Sequence, residues 1–168
     1  MSNAPYTRGR SSTLRKGRES EDFACYSITK VVEFRRAVLA ADDAANILIR
    51  SWDFLRSNQR IKVLAFCIMP DHYHLMLCLM PGNNLSKVME EFGKFTARGL
   101  NRLLGTTGQF WQDGFHDHRC RTEHETHELC AYIEHNPVRK RLVEAAELWP
   151  YSSAFLENRY LLDRHWWP

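Results

Sequence analysis

The 168-residue chain contains no run of about 18 apolar residues, which excludes a membrane-spanning helix. Its first residues have no apolar core of signal-peptide type. There is no C-x-x-C pair, and the cysteines number five. An odd count without that pair argues against a disulfide framework and against a cysteine-rich zinc site. The expected compartment is therefore reducing and cytoplasmic. Internal repeats and a low-complexity core are also lacking, and the net charge is only +3. What is present has ordinary globular proportions, 44% hydrophobic and 26% charged, enough for one domain and cramped for two. A domain of this length buries roughly 70% of the surface its unfolded chain exposes and needs no staples.

The small net charge is unevenly spread. Residues 1–20 hold Arg8, Arg10, Arg15, Lys16 and Arg18 against Glu19, and read as a flexible basic arm. Arg139-Lys140-Arg141 forms a second cluster. Such clusters suit phosphate backbones, although each alone is equally an ordinary solvated surface. The expected organisation is the arm at 1–20, one domain at 21–156 and a tail at 157–168.

Hydrophobic patterning predicts a strand over 23–32, aromatic and β-branched with partial alternation. From Asp42, residues Ala45, Ile49, Trp52 and Leu55 recur at helical spacing behind an acidic start. Two apolar strands, 61–69 and 72–80, flank the turn dipeptide Pro70-Asp71. A helix over 85–104 is expected, with Ser86 as cap and Gly105 as stop. A strand broken at Gly114 should follow, then a helix over 123–136 ended by Pro137. The β-α-β-β-α-β-α order predicts an α+β fold, with helices on one face of a mainly antiparallel sheet.

Chemistry concentrates in two places. His72 and His74, at i and i+2 of a strand, project from one face and can offer two nitrogens to one cation, although such pairs are also common as structural residues. His116-Asp117-His118 has the same spacing but a charged centre, and is expected at the surface. His124 and His127, at i and i+3 of a helix, are expected in solvent. Tyr132 and Asn136, at i and i+4, share a helix face one turn apart. A tyrosine hydroxyl is a candidate nucleophile and the Asn amide a candidate oxygen donor; the plainer alternative is that one packs and the other caps the helix.

Together these segments resemble a known family. MPDHYHLMLCL at 69–79 is similar to the HUH strand of the single-tyrosine HUH transposases. AYIEHNPVRKRLV at 131–143, WPYSSA at 149–154 and FWQDGFHDHRC at 110–120 resemble blocks of their REP-associated branch, in the same order. The resemblance implies a ferredoxin-like antiparallel sheet with the HUH motif on a central strand and the tyrosine helix alongside. It implies His72, His74 and Asn136 as ligands of a divalent metal, Mg²⁺ or Mn²⁺, and Tyr132 as nucleophile. His135 is an additional ligand candidate.

The implied activity is metal-dependent transesterification on single-stranded DNA carrying hairpin, REP-like palindromes, through a 5′-phosphotyrosine intermediate. Two imidazoles and an amide are softer than Mg²⁺ prefers, so Mn²⁺ should bind better, while cellular abundance favours Mg²⁺. Free bases can stack on aromatic rings, for which Trp111 and Phe110 are candidates, although core packing is the more ordinary role for at least one of them; Arg139, Lys140, Arg141 and the arm are candidate phosphate contacts. The expected protein is cytoplasmic, nucleoid-associated, without a membrane partner and monomeric, with a dimer as alternative. Two other classes remain: a catalytically silent DNA-binding regulator of the same fold, which the intact Tyr132 and histidine pair argue against, and an unrelated hydrolytic metalloenzyme, for which no nearby Glu or Asp base motif is present.

Overall fold

The structure is a computed structural model and describes residues 20–163. The expected arm, with Arg8, Arg10, Arg15, Lys16 and Arg18, lies outside the described residues. Four strands, β1 (Cys25–Val31), β2 (Ile61–Ile68), β3 (His72–Leu79) and β4 (His116–Arg119), form an antiparallel sheet in the order β2-β3-β1-β4. Among the described residues four α-helices accompany it: α1 (Asp42–Ser57), α2 (Leu85–Leu104), α3 (Glu123–Glu134) and the single turn α4 (Asn136–Arg139). The arrangement is the expected α+β class.

Each element has a local cause. The β2–β3 hairpin closes at Pro70-Asp71, where the Met69 amide donates to the His72 carbonyl at 2.8 Å. Helix α2 is capped by Asn84, whose side chain accepts from the Lys87 amide at 3.0 Å, and not by the expected Ser86. Gly105, at φ 63°, ends that helix in the left-handed conformation that a side chain would disfavour. Pro137 stops α3 as expected, but it also opens α4, since proline suits a first helical turn.

The sheet is covered on both sides, which corrects the expectation of helices on one face. Tyr73, Leu75, Leu77 and Leu79 of β3 join Leu48 and Trp52 of α1 and Val88 and Phe92 of α2 in one core. Met76 and Cys78 point the other way and join Cys67, Cys120 and Ile133 of α3 in a second. The unbroken apolar run after His74 is the sequence counterpart, because a strand buried on both faces does not alternate. Cysteine usage also departs from expectation. Cys25 and Cys78 are cross-strand partners with Cα atoms 4.0 Å apart and form a disulfide, while Cys67, Cys120 and Cys130 are free thiols. Among the described residues no helix is long and apolar enough to cross a membrane.

The outer edge of β2 is occupied by the C-terminal part of the chain. The Ile68 amide donates to the Tyr151 carbonyl at 2.8 Å and the Ser153 amide to the Phe66 carbonyl at 2.9 Å. Residues 157–163, expected as part of a tail, are anchored: Leu161 is fully buried, and Asp163 pairs with Arg56 at 2.9 Å and accepts from the Val63 amide at 3.1 Å. Backbone on this edge would otherwise present unpaired groups.

Candidate active site

Alternation along β3 places His72 and His74 on the same face as Met76 and Cys78, the face that α3 covers. Their Nε2 atoms stand 3.2 Å apart, with the rings edge to face. Each ring is steered from behind. Asp71 Oδ1 lies 2.5 Å from His72 Nδ1, and Thr29 Oγ1 lies 2.8 Å from His74 Nδ1. With Asp71 accepting from Nδ1–H, the His72 lone pair is on Nε2; a Thr29 oxygen accepting from His74 does the same for the second ring. Asp71 is held in turn by Arg35, whose Nη1 donates to Oδ2 at 2.9 Å. Burial pushes the Asp71 carboxyl up, but hydrogen bonds from His72 and Arg35 outweigh it and hold the group below its ordinary value. Burial, helped by the neighbouring His72, lowers His74 to about 4, so this imidazole is neutral near pH 7.

Two imidazole nitrogens at this spacing fit one divalent cation, since donors about 2.1 Å from a common ion at roughly right angles are about 3 Å apart. Among the described residues no group of three or more His, Cys, Asp and Glu side chains could complete such a site. Any third protein donor among the described residues is therefore of another type.

Helix α3 packs across β2 and β3 on this face, through Ile133 and Leu129. Tyr132 is 46% exposed, and the Arg139 guanidinium lies 4.3 Å above its ring. Asn136 is buried, and its Nδ2 donates to the Tyr132 carbonyl at 3.1 Å and the Ile133 carbonyl at 3.2 Å. The amide thus helps to cap α3, and its orientation is set by two carbonyls. Among the described residues no hydrogen bond engages Oδ1, which leaves that oxygen for a cation. His135 turns instead to the Ala131 carbonyl, 2.9 Å from its Nδ1. Two of the other tyrosines, Tyr73 and Tyr151, are poorly matched to nucleophilic work. Tyr73 is fully buried with its hydroxyl pushed up by desolvation, and the Tyr151 hydroxyl donates to Asp42 at 3.0 Å.

The remaining candidates sort by burial. His116 and His118 are exposed, and the β1–β4 register sets them on the same face as His74. Thr29 lies between His116 and His74, so the separation is two strand spacings, about 10 Å, beyond sharing one ion. His118 pairs with Glu125 of α3 at 2.7 Å. His124 and His127 are exposed on α3 beside Glu128 and Glu123. Lys140 and Arg141 are exposed beyond α4. Trp111 and Phe110, expected as stacking surfaces, are core residues: Trp111 donates from Nε1 to Thr96 Oγ1 at 3.1 Å and packs edge-on against Tyr73. They cannot offer a face to a base.

Several supporting residues are invisible to sequence reasoning. In the sequence Asp71 reads only as a turn residue and Thr29 only as strand composition. Glu134 and Ser153 form a further tie, 2.7 Å from Oε1 to Oγ, between the end of α3 and the segment along β2. The positions of Glu134, two residues after Tyr132, and of Ser153 in WPYSSA become a usable signal only once the long-range pairing is in hand.

Residues 23–136 match the sequence family described as Transposase IS200 like. A protein of Haemophilus influenzae named as a REP-associated tyrosine transposase is 30% identical over 108 residues, 55% of this chain and 58% of that protein. The match thus spans little more than half of that relative. A solved REP-associated tyrosine transposase bound to a REP hairpin is similar in fold, with a TM-score of 0.68 at 21% identity over 90% of this chain and 89% of that one. A transposase from Deinococcus radiodurans gives 0.50 at 21% identity, over 71% of this chain and 95% of that one.

Proposed function

The chain belongs to the IS200-like transposase family, and from that premise we propose that it cuts and rejoins single-stranded DNA flanked by hairpin, REP-like palindromes, using Tyr132 as nucleophile. The observation that carries this reading is the pair of Nε2 atoms 3.2 Å apart on the sheet face that the Tyr132 helix covers. The hydroxyl oxygen of Tyr132 attacks a backbone phosphorus. The new ester bond forms as the bond to the 3′-oxygen breaks, and the tyrosine proton ends on the released 3′-hydroxyl. One phosphodiester replaces another, so the step reverses without ATP.

His72 and His74 would hold a divalent cation, Mg²⁺ or Mn²⁺, with Asn136 Oδ1 as third donor. When bound, that ion supplies charge neutralisation at the phosphate oxygens. Asp71 and Thr29 keep both imidazole lone pairs aimed at one point. Arg139 fixes the Tyr132 ring and, with Lys140 and Arg141, offers positive charge to the backbone. In this reading the protein works as a monomer.

The test is a covalent adduct on a denaturing gel, using the full chain and a single-stranded oligonucleotide with a hairpin. Adduct should form with Mn²⁺ or Mg²⁺, vanish with a chelator and vanish in Tyr132→Phe, which keeps the fold because only the hydroxyl of a half-exposed side chain is removed. Wild-type protein without adduct, or equal adduct in Tyr132→Phe, would overturn the assignment.

A further inference from the structure

We propose that Phe34 is a stacking platform for an unpaired nucleobase of the strand held at the imidazole pair, with Arg35 and Arg36 flanking its approach. This rests on the DNA-processing reading above and adds to it a surface for the bases. Phe34 is 83% exposed, the most exposed of the large hydrophobic side chains described. Its backbone lies at φ 58°, ψ 18°, and Arg35 follows at φ 51°, both in the left-handed region that bulky residues seldom occupy. The turn is nonetheless well tied. The Glu33 amide donates to the Phe110 carbonyl at 2.7 Å, and the Arg35 amide to the Val32 carbonyl at 2.9 Å. An apolar ring is thus held out into water on a fixed turn. Its ring enters no aromatic pair among the described residues, and burial does not explain its place. Strained backbone of this kind clusters where a site needs it.

Position supplies the function. Val31, at the end of β1, is the register partner of His72, and the Val32 amide donates to the Asp71 carbonyl at 2.9 Å. Arg35, the next residue after Phe34, pairs with the same Asp71 carboxylate that steers His72. The turn that carries the ring is therefore tied on both sides, through Val32 and Arg35, to the Asp71 that steers His72. Arg36 lies with its guanidinium 5.3 Å over the Phe110 ring, so Phe34 is followed in the chain by two guanidinium groups. An aromatic face with adjacent guanidinium groups matches the alternation of base and phosphate along a single strand. Every base has a π-face, so the platform reads unpairedness and not sequence; in a duplex those faces are covered.

The experiment uses the full chain and an oligonucleotide with a hairpin and a single-stranded flank, carrying 2-aminopurine at successive flank positions. Wild-type protein should quench 2-aminopurine at one or two adjacent positions. Phe34→Asn, a side chain that tolerates left-handed backbone, should lose that quenching and bind the flank about tenfold more weakly, within about five- to a hundredfold. Phe34→Trp should retain both. Thermal melting of the variants reports the fold. Equal quenching and affinity in Phe34→Asn would overturn the platform while leaving the adduct assay untouched. A Phe34-dependent affinity without any wild-type adduct would overturn the nucleophile and support the platform. Wild-type protein that binds no single-stranded flank would overturn both.

Discussion

A tyrosine hydroxyl has an ordinary pKa of about 10 and attacks only what is already polarised, so the proposed reaction would depend on side chains that never touch the nucleophile. Asp71 and Thr29 are of that kind: each engages the Nδ1 of an imidazole whose Nε2 faces its neighbour. Supporting residues of this type are worth about 10- to 100-fold in metal affinity. Asp71→Asn and Thr29→Val should each weaken Mn²⁺ binding by that order in calorimetry, without changing the number of sites. His116→Ala should leave the affinity as it was, because His116 lies across a whole strand from His74. Undiminished binding in Asp71→Asn would mean that the ring is oriented by something else. Arg139 has a parallel role toward Tyr132. Its guanidinium over the ring contributes about 0.5–1 kcal/mol at an exposed site, so Arg139→Ala should slow adduct formation several-fold, with Arg139→Lys between.

At the scale of elements, legibility in the sequence depends on how local the cause is. The spans of α1 and α2 follow from helical periodicity and from Gly105, and the β2–β3 hairpin from Pro70-Asp71. The placement of Trp111 does not follow, because its side is set by pairing with Val32 across the sheet, a register that long-range contacts decide. Phe34 is equally hidden, since left-handed backbone at a phenylalanine has no compositional signal. For the site, the histidine pair and Tyr132 are legible from spacing and resemblance, whereas the Glu134–Ser153 tie joins segments that only the fold brings together. That tie is testable. The Ser153 hydroxyl accepts from the Phe66 amide at 2.9 Å and donates to Glu134 at 2.7 Å, in a buried position. The hydroxyl also lies 3.2 Å from the Phe66 carbonyl; Ser153→Ala removes all three contacts and should cost about 1–3 kcal/mol in urea unfolding. It also releases the end of the helix that carries Tyr132, so adduct yield at saturating DNA should fall while Mn²⁺ affinity at the histidines persists. A loss of stability with full adduct yield would limit the tie to folding alone.

For the whole molecule the question is what draws a polyanion to a chain with so little net charge. Residues 1–20 hold five basic residues against one acid, a larger positive balance than the +3 of the entire chain, so the remainder is slightly acidic. The sheet and helices therefore offer DNA little general attraction beyond local clusters such as Arg139 to Arg141, and long-range attraction must come from the arm if it comes from anywhere. Replacing Arg8, Arg10, Arg15, Lys16 and Arg18 by Gln removes five positive charges and turns the chain net negative. Every arm–phosphate ion pair removed in this way should flatten the slope of log K against log salt by about 0.7–0.9, so a fully engaged arm accounts for several units. Anisotropy titrations with a fluorescent hairpin across a salt series measure both affinity and slope. The expected result is weaker binding at low salt, converging on the wild-type value as salt rises, because counterion release is the term removed. Curves that stay parallel, offset but with the same slope, would show that the five residues do not touch phosphate and that the hairpin is gripped by the folded body.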